Sequence, residues 1–213
     1  MRTANETLRT AVQALATWRR HIILLGAVPD RPEPDYGWIQ TRSGLGWCNG
    51  RAIQAVRRFI EKPCFEDART AMESGAIWNT LILVSSAETL WQLGWDCFPE
   101  LVLRSEQLRT VVGSGLERHV LRKIYRQMPS HNFSAEFLTR VTQQIAVIEL
   151  RDDVWSDWGR PERNADVLEA MGKEPMFPRE YLKTGYAGAL PRNHCQQDHS
   201  RPFRRGLSLG NRN

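Results

Sequence analysis

Short, continuously apolar runs are the feature that most constrains how this sequence can fold. Residues 21–28 and 145–150 are largely apolar without alternation, which is typical of strands covered on both faces of a sheet. Segments with helical spacing stand between the runs, and the first opens with a Thr3-x-x-Glu6 capping box. Strands that alternate with helices predict a layered α/β domain. The predicted strands are 21–28, 36–40, 52–60, 77–85 and 145–150, and the predicted helices are 3–20, 65–74, 87–93, 99–112, 116–127 and 161–171.

The net charge of +5 is unevenly distributed along the 213 residues. Residues 192–213 contain five arginines and one acid, so they carry +4, and the rest of the chain carries only +1. A nearly neutral body without a basic face argues against a nucleic-acid partner. We predict a folded domain over residues 1–172 and an irregular basic tail over residues 173–213.

The cysteines and the amino-terminal sequence indicate the compartment. Four cysteines are widely spaced without a C-x-x-C pair, which favours reduced thiols over a disulfide framework or a metal site. The apolar run at residues 22–28 is far shorter than the roughly 20 residues that a spanning helix needs, and no signal peptide precedes it. We therefore predict a cytoplasmic protein with no membrane partner.

Three short motifs carry polar groups at the ends of predicted strands. Glu61-Lys62 ends one strand, and a carboxylate beside an ammonium group could hold sugar hydroxyls and a phosphate; a solvated strand end is the plainer interpretation. Asn79 follows Trp78 at the start of the next strand, where either a ligand contact or simple packing is possible. Asp157 follows the last strand, where it could contact a ligand or metal, or cap the following turn. Residues 44–50 are rich in glycine but join two strands, which predicts a hairpin turn rather than a phosphate-binding loop.

Five motifs, taken together and in order, carry a resemblance to a known family. They are Asp35-Tyr36-Gly37-Trp38-Ile39, Val56-x-x-Phe59-x-Glu61-Lys62-Pro63, Ser74-Gly75-x-x-Trp78-Asn79, Phe98-Pro99-Glu100 and Trp155-Ser156-Asp157-Trp158-Gly159. In this order they resemble the sugar-1-phosphate nucleotidyltransferases, and within them the mannose-1-phosphate guanylyltransferase (GDP-mannose pyrophosphorylase) branch. The resemblance covers roughly residues 5–170. It implies a Rossmann-like mixed sheet flanked by helices.

The resemblance also implies an activity and roles for particular residues. A sugar 1-phosphate, here mannose 1-phosphate, would attack the α-phosphate of a nucleoside triphosphate, here GTP, and give GDP-mannose with Mg²⁺ as cofactor. Gly37 would let the backbone approach the sugar, and Asn79 would contact it. Glu61 would hold sugar hydroxyls and Lys62 the sugar phosphate. Asp157 would ligate Mg²⁺, so that Lys62 and Asp157 are the implied catalytic residues.

Other features of the family do not occur in these 213 residues. The family's Gly-Gly-x-Gly-x-Arg loop for the triphosphate is absent from the sequence, and Thr80-Leu81 stand where a small residue and Gly are usual. The family also has a motif with an Asp and a Glu near the sugar, and the corresponding residues 132–136 contain no Asp. We expect an N-terminally truncated domain, with an unpaired apolar sheet edge and impaired turnover on its own. The alternative is a non-catalytic sugar-phosphate-binding or regulatory partner of a full-length homologue, with a homo-oligomer also possible.

Overall fold

The computed structural model describes residues 4–151 and 155–176, apart from the side chain of Ser43. The strands are β1 (Ile22–Ala27), β2 (Gly37–Cys48), β3 (Arg51–Glu61), β4 (Ile77–Val84) and β5 (Ile145–Leu150). The α-helices are α1 (Ala4–Ala14), α2 (Phe65–Glu73), α3 (Ala87–Cys97), α4 (Pro99–Arg109), α5 (Glu117–Gln127) and α6 (Pro161–Ala170). A π-helical turn, Phe133–Leu138, and a 3-10 turn, Thr142–Gln144, precede β5. None of the helices in the described ranges is long and apolar enough to cross a membrane.

The five strands form a closed ring in the order β1–β4–β2–β3–β5 and back to β1. β1 and β5 are parallel, and the other neighbours are antiparallel. β5 pairs with β1 along its whole length and with β3 at Gln54 and Ala55. Each described strand therefore has a neighbour on both sides, and the expectation of an unpaired sheet edge is wrong. The predicted mixed α/β sheet flanked by helices is confirmed.

Both faces of the central strands are buried, as their uninterrupted apolar runs predict. Ile22 and Leu24 of β1 point into one core cluster, while Ile23 and Leu25 point into another on the opposite face. Leu93 of α3 packs in the first cluster, and α1 contributes alanines to the second. The helices thus cover the two faces of the sheet and leave the strand ends for other contacts.

The predicted turn over residues 44–50 is wrong in extent. β2 continues through Gly44 and Gly46 to Cys48, and only Asn49 and Gly50 form the turn. The pairing of β2 with β3 shifts register on either side of Gly44, so extra residues bulge from the strand without ending it. The ends of α1, α3 and α4 also lie several residues from the predicted ones.

Candidate functional site

The register of the sheet brings the predicted site residues to one end of the ring. Gly37, the first residue of β2, lies opposite Glu61, the last residue of β3. In the next pairing, Trp38 lies opposite Trp78, so Asn79 is adjacent to that end. The parallel pairing of β1 with β5 then ends at Leu150, and the segment that carries Asp157 follows it. Residues from position 37 to position 157 therefore come together, because β2 and β4 begin, and β3 and β5 end, at this end of the ring.

Gly37 is the point of closest approach in this arrangement. A Cβ atom there would lie 2.8 Å from Oε2 of Glu61, 3.0 Å from the ring of Phe59 and 3.4 Å from Cβ of Asn79. Any side chain at this position would fill the space between the Glu61 and Asn79 side chains. The structure therefore confirms that these three residues are close together, and it explains why glycine stands at position 37.

Glu61 is a half-buried carboxylate, and no described residue donates a hydrogen bond to its side chain. Burial raises the pKa of Glu61, and the charge of the neighbouring Lys62 works in the opposite direction. A desolvated carboxylate without donors has a strong preference for a ligand that supplies O–H or N–H groups. Glu61 is thus suited to accept hydrogen bonds from a polyhydroxylated ligand.

The residues after Glu61 and Asn79 adopt unusual backbone conformations at the rim of the site. Lys62 has a φ of 45° and Leu81 a φ of 58°, in the left-handed region that non-glycine residues rarely occupy. The amide of Lys62 donates to the Tyr36 carbonyl, and the amide of Leu81 donates to Oδ1 of Asn79. These bonds help to fix the two turns. Non-glycine residues in such conformations cluster at ligand-binding sites, where the surrounding structure compensates for the strain.

Asp157 is held by an arginine that the sequence motifs did not indicate. Its Oδ1 atom accepts from Nη1 of Arg163 at 2.7 Å, from the Gly159 amide at 3.0 Å and from the Tyr36 hydroxyl at 3.2 Å. Burial alone would raise the pKa of Asp157, but the Gly159 amide and the Arg163 guanidinium outweigh it and lower that pKa. The Asp157 carboxylate therefore stays ionised in a site built around a buried guanidinium.

These residues line one cleft of about 900 Å³. All of the predicted site residues, Gly37, Glu61, Lys62, Asn79 and Asp157, lie on its wall. Trp155 and Tyr36 add an aromatic wall, with ring centroids 5.1 Å apart. Such a wall can pack against the apolar face of a sugar ring. The cleft therefore combines an unpaired carboxylate, an amide, an exposed ammonium group and an aromatic surface.

Sequence reasoning missed two arginines of the site, Arg160 just before α6 and Arg163 in its first turn. Arg160 and Arg163 line the cleft, as do Asn132 and Phe133 at the π-helical turn. In the sequence, Arg163 is not distinguished from any other arginine of a helix, because its partners lie far away along the chain. The one indication of burial in the sequence is that Arg163 stands four residues before Val167, which puts it on the partly apolar face of α6.

The Oδ1 atom of Asp157 is poorly placed to ligate Mg²⁺. No group of three or more His, Cys, Asp or Glu side chains is arranged to hold a metal within residues 4–151 and 155–176. Mg²⁺ takes oxygen ligands at about 2.0–2.1 Å in octahedral order and is usually held by one or two carboxylates with waters and substrate phosphates. Oδ1 of Asp157 already accepts three hydrogen bonds, one of them from a guanidinium. The implied role of Asp157 as a metal ligand stays a prediction.

A profile of the Nucleotidyl transferase family matches residues 3–174 of the chain. The chain belongs to this family. Among curated relatives, mannose-1-phosphate guanylyltransferase of Sinorhizobium fredii is 26% identical over 178 residues, which are 77% of this chain and 33% of that protein. The Escherichia coli protein of the same name is 27% identical over 143 residues, covering 65% of this chain and 30% of its own length. The chain thus spans about a third of the length of the curated relatives it matches.

Solved structures support the same fold. A Thermus thermophilus structure titled mannose-1-phosphate geranyltransferase superposes with a TM-score of 0.61 at 23% identity, covering 76% of this chain and 44% of that one. A Helicobacter pylori structure titled mannose-6-phosphate isomerase superposes with a TM-score of 0.57 at 18% identity, covering 74% of this chain and 61% of that one. At these identities the likeness concerns the fold, and the chemistry must be argued from the cleft.

Proposed function

We propose that the cleft binds a sugar 1-phosphate, and that this sugar phosphate is mannose 1-phosphate. The observation that carries the proposal is the convergence of Glu61, Asn79 and Gly37, from three strands, beside Lys62. The family match and the names of the curated relatives favour the same ligand class. Within the cleft, Glu61 would accept bonds from two sugar hydroxyls, and Asn79 would bond a third.

The phosphate of the ligand would lie beside Lys62. This side chain is exposed at the rim, and its ammonium group can meet a phosphate as a mobile point charge. Trp155 would cover the less polar face of the sugar. Placing the hydroxyls on Glu61 and the phosphate near Lys62 fixes the orientation of the ligand, which is the main contribution of the protein to phosphoryl-group transfer.

The reaction that we propose for the site is nucleotidyl transfer from GTP. A phosphate oxygen of mannose 1-phosphate forms a bond to the α-phosphorus of GTP, the bond from that phosphorus to the bridging oxygen breaks, and pyrophosphate leaves with the bonding electron pair. The product is GDP-mannose. In this reaction the cleft supplies the acceptor half. We propose that the 213 residues alone turn over slowly, because they contain no Gly-Gly-x-Gly-x-Arg segment for the triphosphate. We also place the protein in the cytoplasm.

A second candidate is a sugar-phosphate-binding module that regulates or pairs with a full-length homologue. The closed ring of strands favours it, since the described sheet is complete without further strands. The two candidates predict the same ligand and differ in turnover. Release of pyrophosphate from GTP and mannose 1-phosphate by the purified chain, at a rate normal for the reaction, would exclude the binding module.

Binding can be measured by isothermal titration of the chain with mannose 1-phosphate. We expect Glu61→Gln and Lys62→Ala each to weaken binding at least about ten-fold, the effect of losing one charge-assisted contact. Glu73→Gln and Lys123→Ala are matched controls, because these residues are exposed on α2 and α5 and do not line the cleft. The proposal fails if the unaltered chain does not bind the sugar phosphate, or if the control variants weaken binding as much as the cleft variants.

A further inference from the structure

Arg163 is the most deeply buried charged side chain of the cleft, with 5% of its side-chain surface exposed. Nη1 lies 2.7 Å from Oδ1 of Asp157, and Nη2 lies 2.7 Å from Oδ2 of Asp35. Nη2 also lies 3.2 Å from Oε1 of Glu33, and the guanidinium stacks over the ring of Tyr36 at 4.5 Å. A buried guanidinium keeps its charge, so it has to be matched by carboxylates. Here one planar fork bridges three of them.

Most of the negative charge around Arg163 is already matched by guanidinium groups. The carboxylates are Glu33, Asp35 and Asp157, and three guanidinium groups face them. Arg163 contacts all three carboxylates, and Arg160 forms an ion pair with Asp35. Arg31 lies 3.6 Å from Glu33 and is shared with Asp30, 3.1 Å away. With most of its negative charge neutralised, the cluster has a weakened attraction for a divalent cation.

The position of the Arg163 guanidinium also works against a metal ion at Asp157. A cation bound to Oδ1 would lie close to a positive group that is 2.7 Å from the same atom. At such distances two positive charges in a partly buried site repel strongly. A metal ion could replace Arg163 at Oδ1 only if Arg163 moved, which would leave a buried guanidinium without its partner.

We propose that Arg163 is a positioning residue that takes the place of a divalent cation at Asp157, so that the cleft binds its sugar 1-phosphate without a metal ion. This inference rests on the proposed function. It identifies Arg163 as the group that fixes the segment Trp155–Gly159 and so holds the aromatic wall in place. Asp157 then serves as an anchor for Arg163 and the Tyr36 hydroxyl.

Metal dependence of ligand binding is the first test. Titrations of the whole chain with mannose 1-phosphate are compared in EDTA and in millimolar Mg²⁺. We expect the same affinity in both buffers, and the same result for Asp157→Asn, which controls for binding of Mg²⁺ to the sugar phosphate itself. A gain of about ten-fold or more in Mg²⁺, which Asp157→Asn abolishes, would overturn the inference. Absence of binding in both buffers would instead refute the proposed function.

Direct metal binding is the second test, and it does not depend on the sugar phosphate. Mn²⁺ is titrated into the chain and followed by electron paramagnetic resonance. We expect no Mn²⁺ binding that Asp157→Asn removes. In Arg163→Met we expect such binding to appear, since Asp35 and Asp157 both lose a guanidinium that lies 2.7 Å away, and Asp35 keeps its ion pair with Arg160. Binding of Mn²⁺ at Asp157 in the unaltered chain would overturn the inference, as would a folded Arg163→Met chain that gains none.

Arg163→Lys keeps the charge and removes the fork, and so guards against loss of folding in Arg163→Met. One ammonium group cannot bond Asp35 and Asp157 with the paired geometry of a guanidinium. We expect weaker sugar-phosphate binding that remains independent of Mg²⁺. A purely structural role would leave the affinity of a folded Arg163→Lys chain unchanged, and that result would contradict the positioning role.

Discussion

Gly26 in β1 gives the sharpest test of how tightly the sheet is packed. A Cβ atom at this position would lie within contact distance of Cδ1 of Ile77, 2.9 Å from its Cγ1 and 3.3 Å from Cγ2 of Val147. These atoms belong to a buried core cluster, so Gly26→Ala has to displace the Ile77 side chain within a packed core. Overpacking of this kind costs about 1–3 kcal/mol. The lower entropy of the unfolded alanine chain returns about 0.4–1 kcal/mol.

We therefore expect Gly26→Ala to lower the free energy of unfolding by about 1–2 kcal/mol, which corresponds to a fall in Tm of roughly 2–8 °C for a chain of this size. Ile77→Val removes Cδ1, the atom nearest to the new methyl group. Alone it should cost about 0.5–1.5 kcal/mol. In the double variant most of the overlap disappears, and the two effects should fall short of their sum by about 1 kcal/mol.

Urea unfolding followed by tryptophan fluorescence measures all four corners of this cycle. Gly44→Ala is the matched control, because Gly44 also lies in a strand and its new Cβ would meet only the Ile53 carbonyl at 3.7 Å. This control should leave stability unchanged or slightly higher. An unchanged midpoint for Gly26→Ala, or strictly additive effects with Ile77→Val, would refute the reasoning about this contact.

Three further predictions concern the cleft. Leu81→Gly should raise stability by up to about 1 kcal/mol, because relief of left-handed strain, about 1–2 kcal/mol, exceeds the added entropy of the unfolded glycine chain, about 0.4–1 kcal/mol. Leu81→Ala should give no such gain in thermal unfolding. Glu61→Gln should stabilise the chain at neutral pH, because the pKa of Glu61 is raised in the folded state and its charged form therefore lowers the stability above that pKa. The gain in stability should vanish as the pH falls below the pKa of Glu61. A gain that persisted in acid would contradict this cause. Asp157→Asn should destabilise the chain at neutral pH, because the pKa of Asp157 is lowered in the folded state. The stability that the charged carboxylate contributes is complete above a pH of about 3.9 and is lost as the pH falls through the folded pKa. Equal destabilisation at every pH would contradict this cause.

The sequence predicts those parts of the fold that depend on local pattern. The run at residues 145–150 predicts β5 to the residue, because all of its side chains except that of Glu149 are apolar and buried. Gly44 and Gly46 make the predicted turn too long, since a glycine can mark either a turn or a bulge within a strand. Closure of the ring also has no local signal, because it depends on the pairing of β5 with both β1 and β3.

The residues of the cleft also fall into those that the sequence predicts and those that depend on the tertiary structure. Gly37, Glu61 and Asn79 could be found from the sequence, because each stands at the end of a strand in a motif with a known family order. Arg163 could not, because its role depends on carboxylates at positions 33, 35 and 157 that only the tertiary structure brings together. Helical position alone does not separate a buried arginine from a solvated one.

The contacts of Arg163 also bear on the order in which the cleft can form during synthesis. Its bond to Asp35 joins residues that are 128 positions apart, so Asp35 leaves the ribosome long before Arg163 is made. Chains grow at about 5–20 residues per second, which leaves the carboxylates at positions 33 and 35 without their guanidinium for several seconds or more. The ring can close once β5 is made, whereas the cleft is completed only when α6 docks. Ligand binding should therefore be among the last properties that a nascent chain acquires.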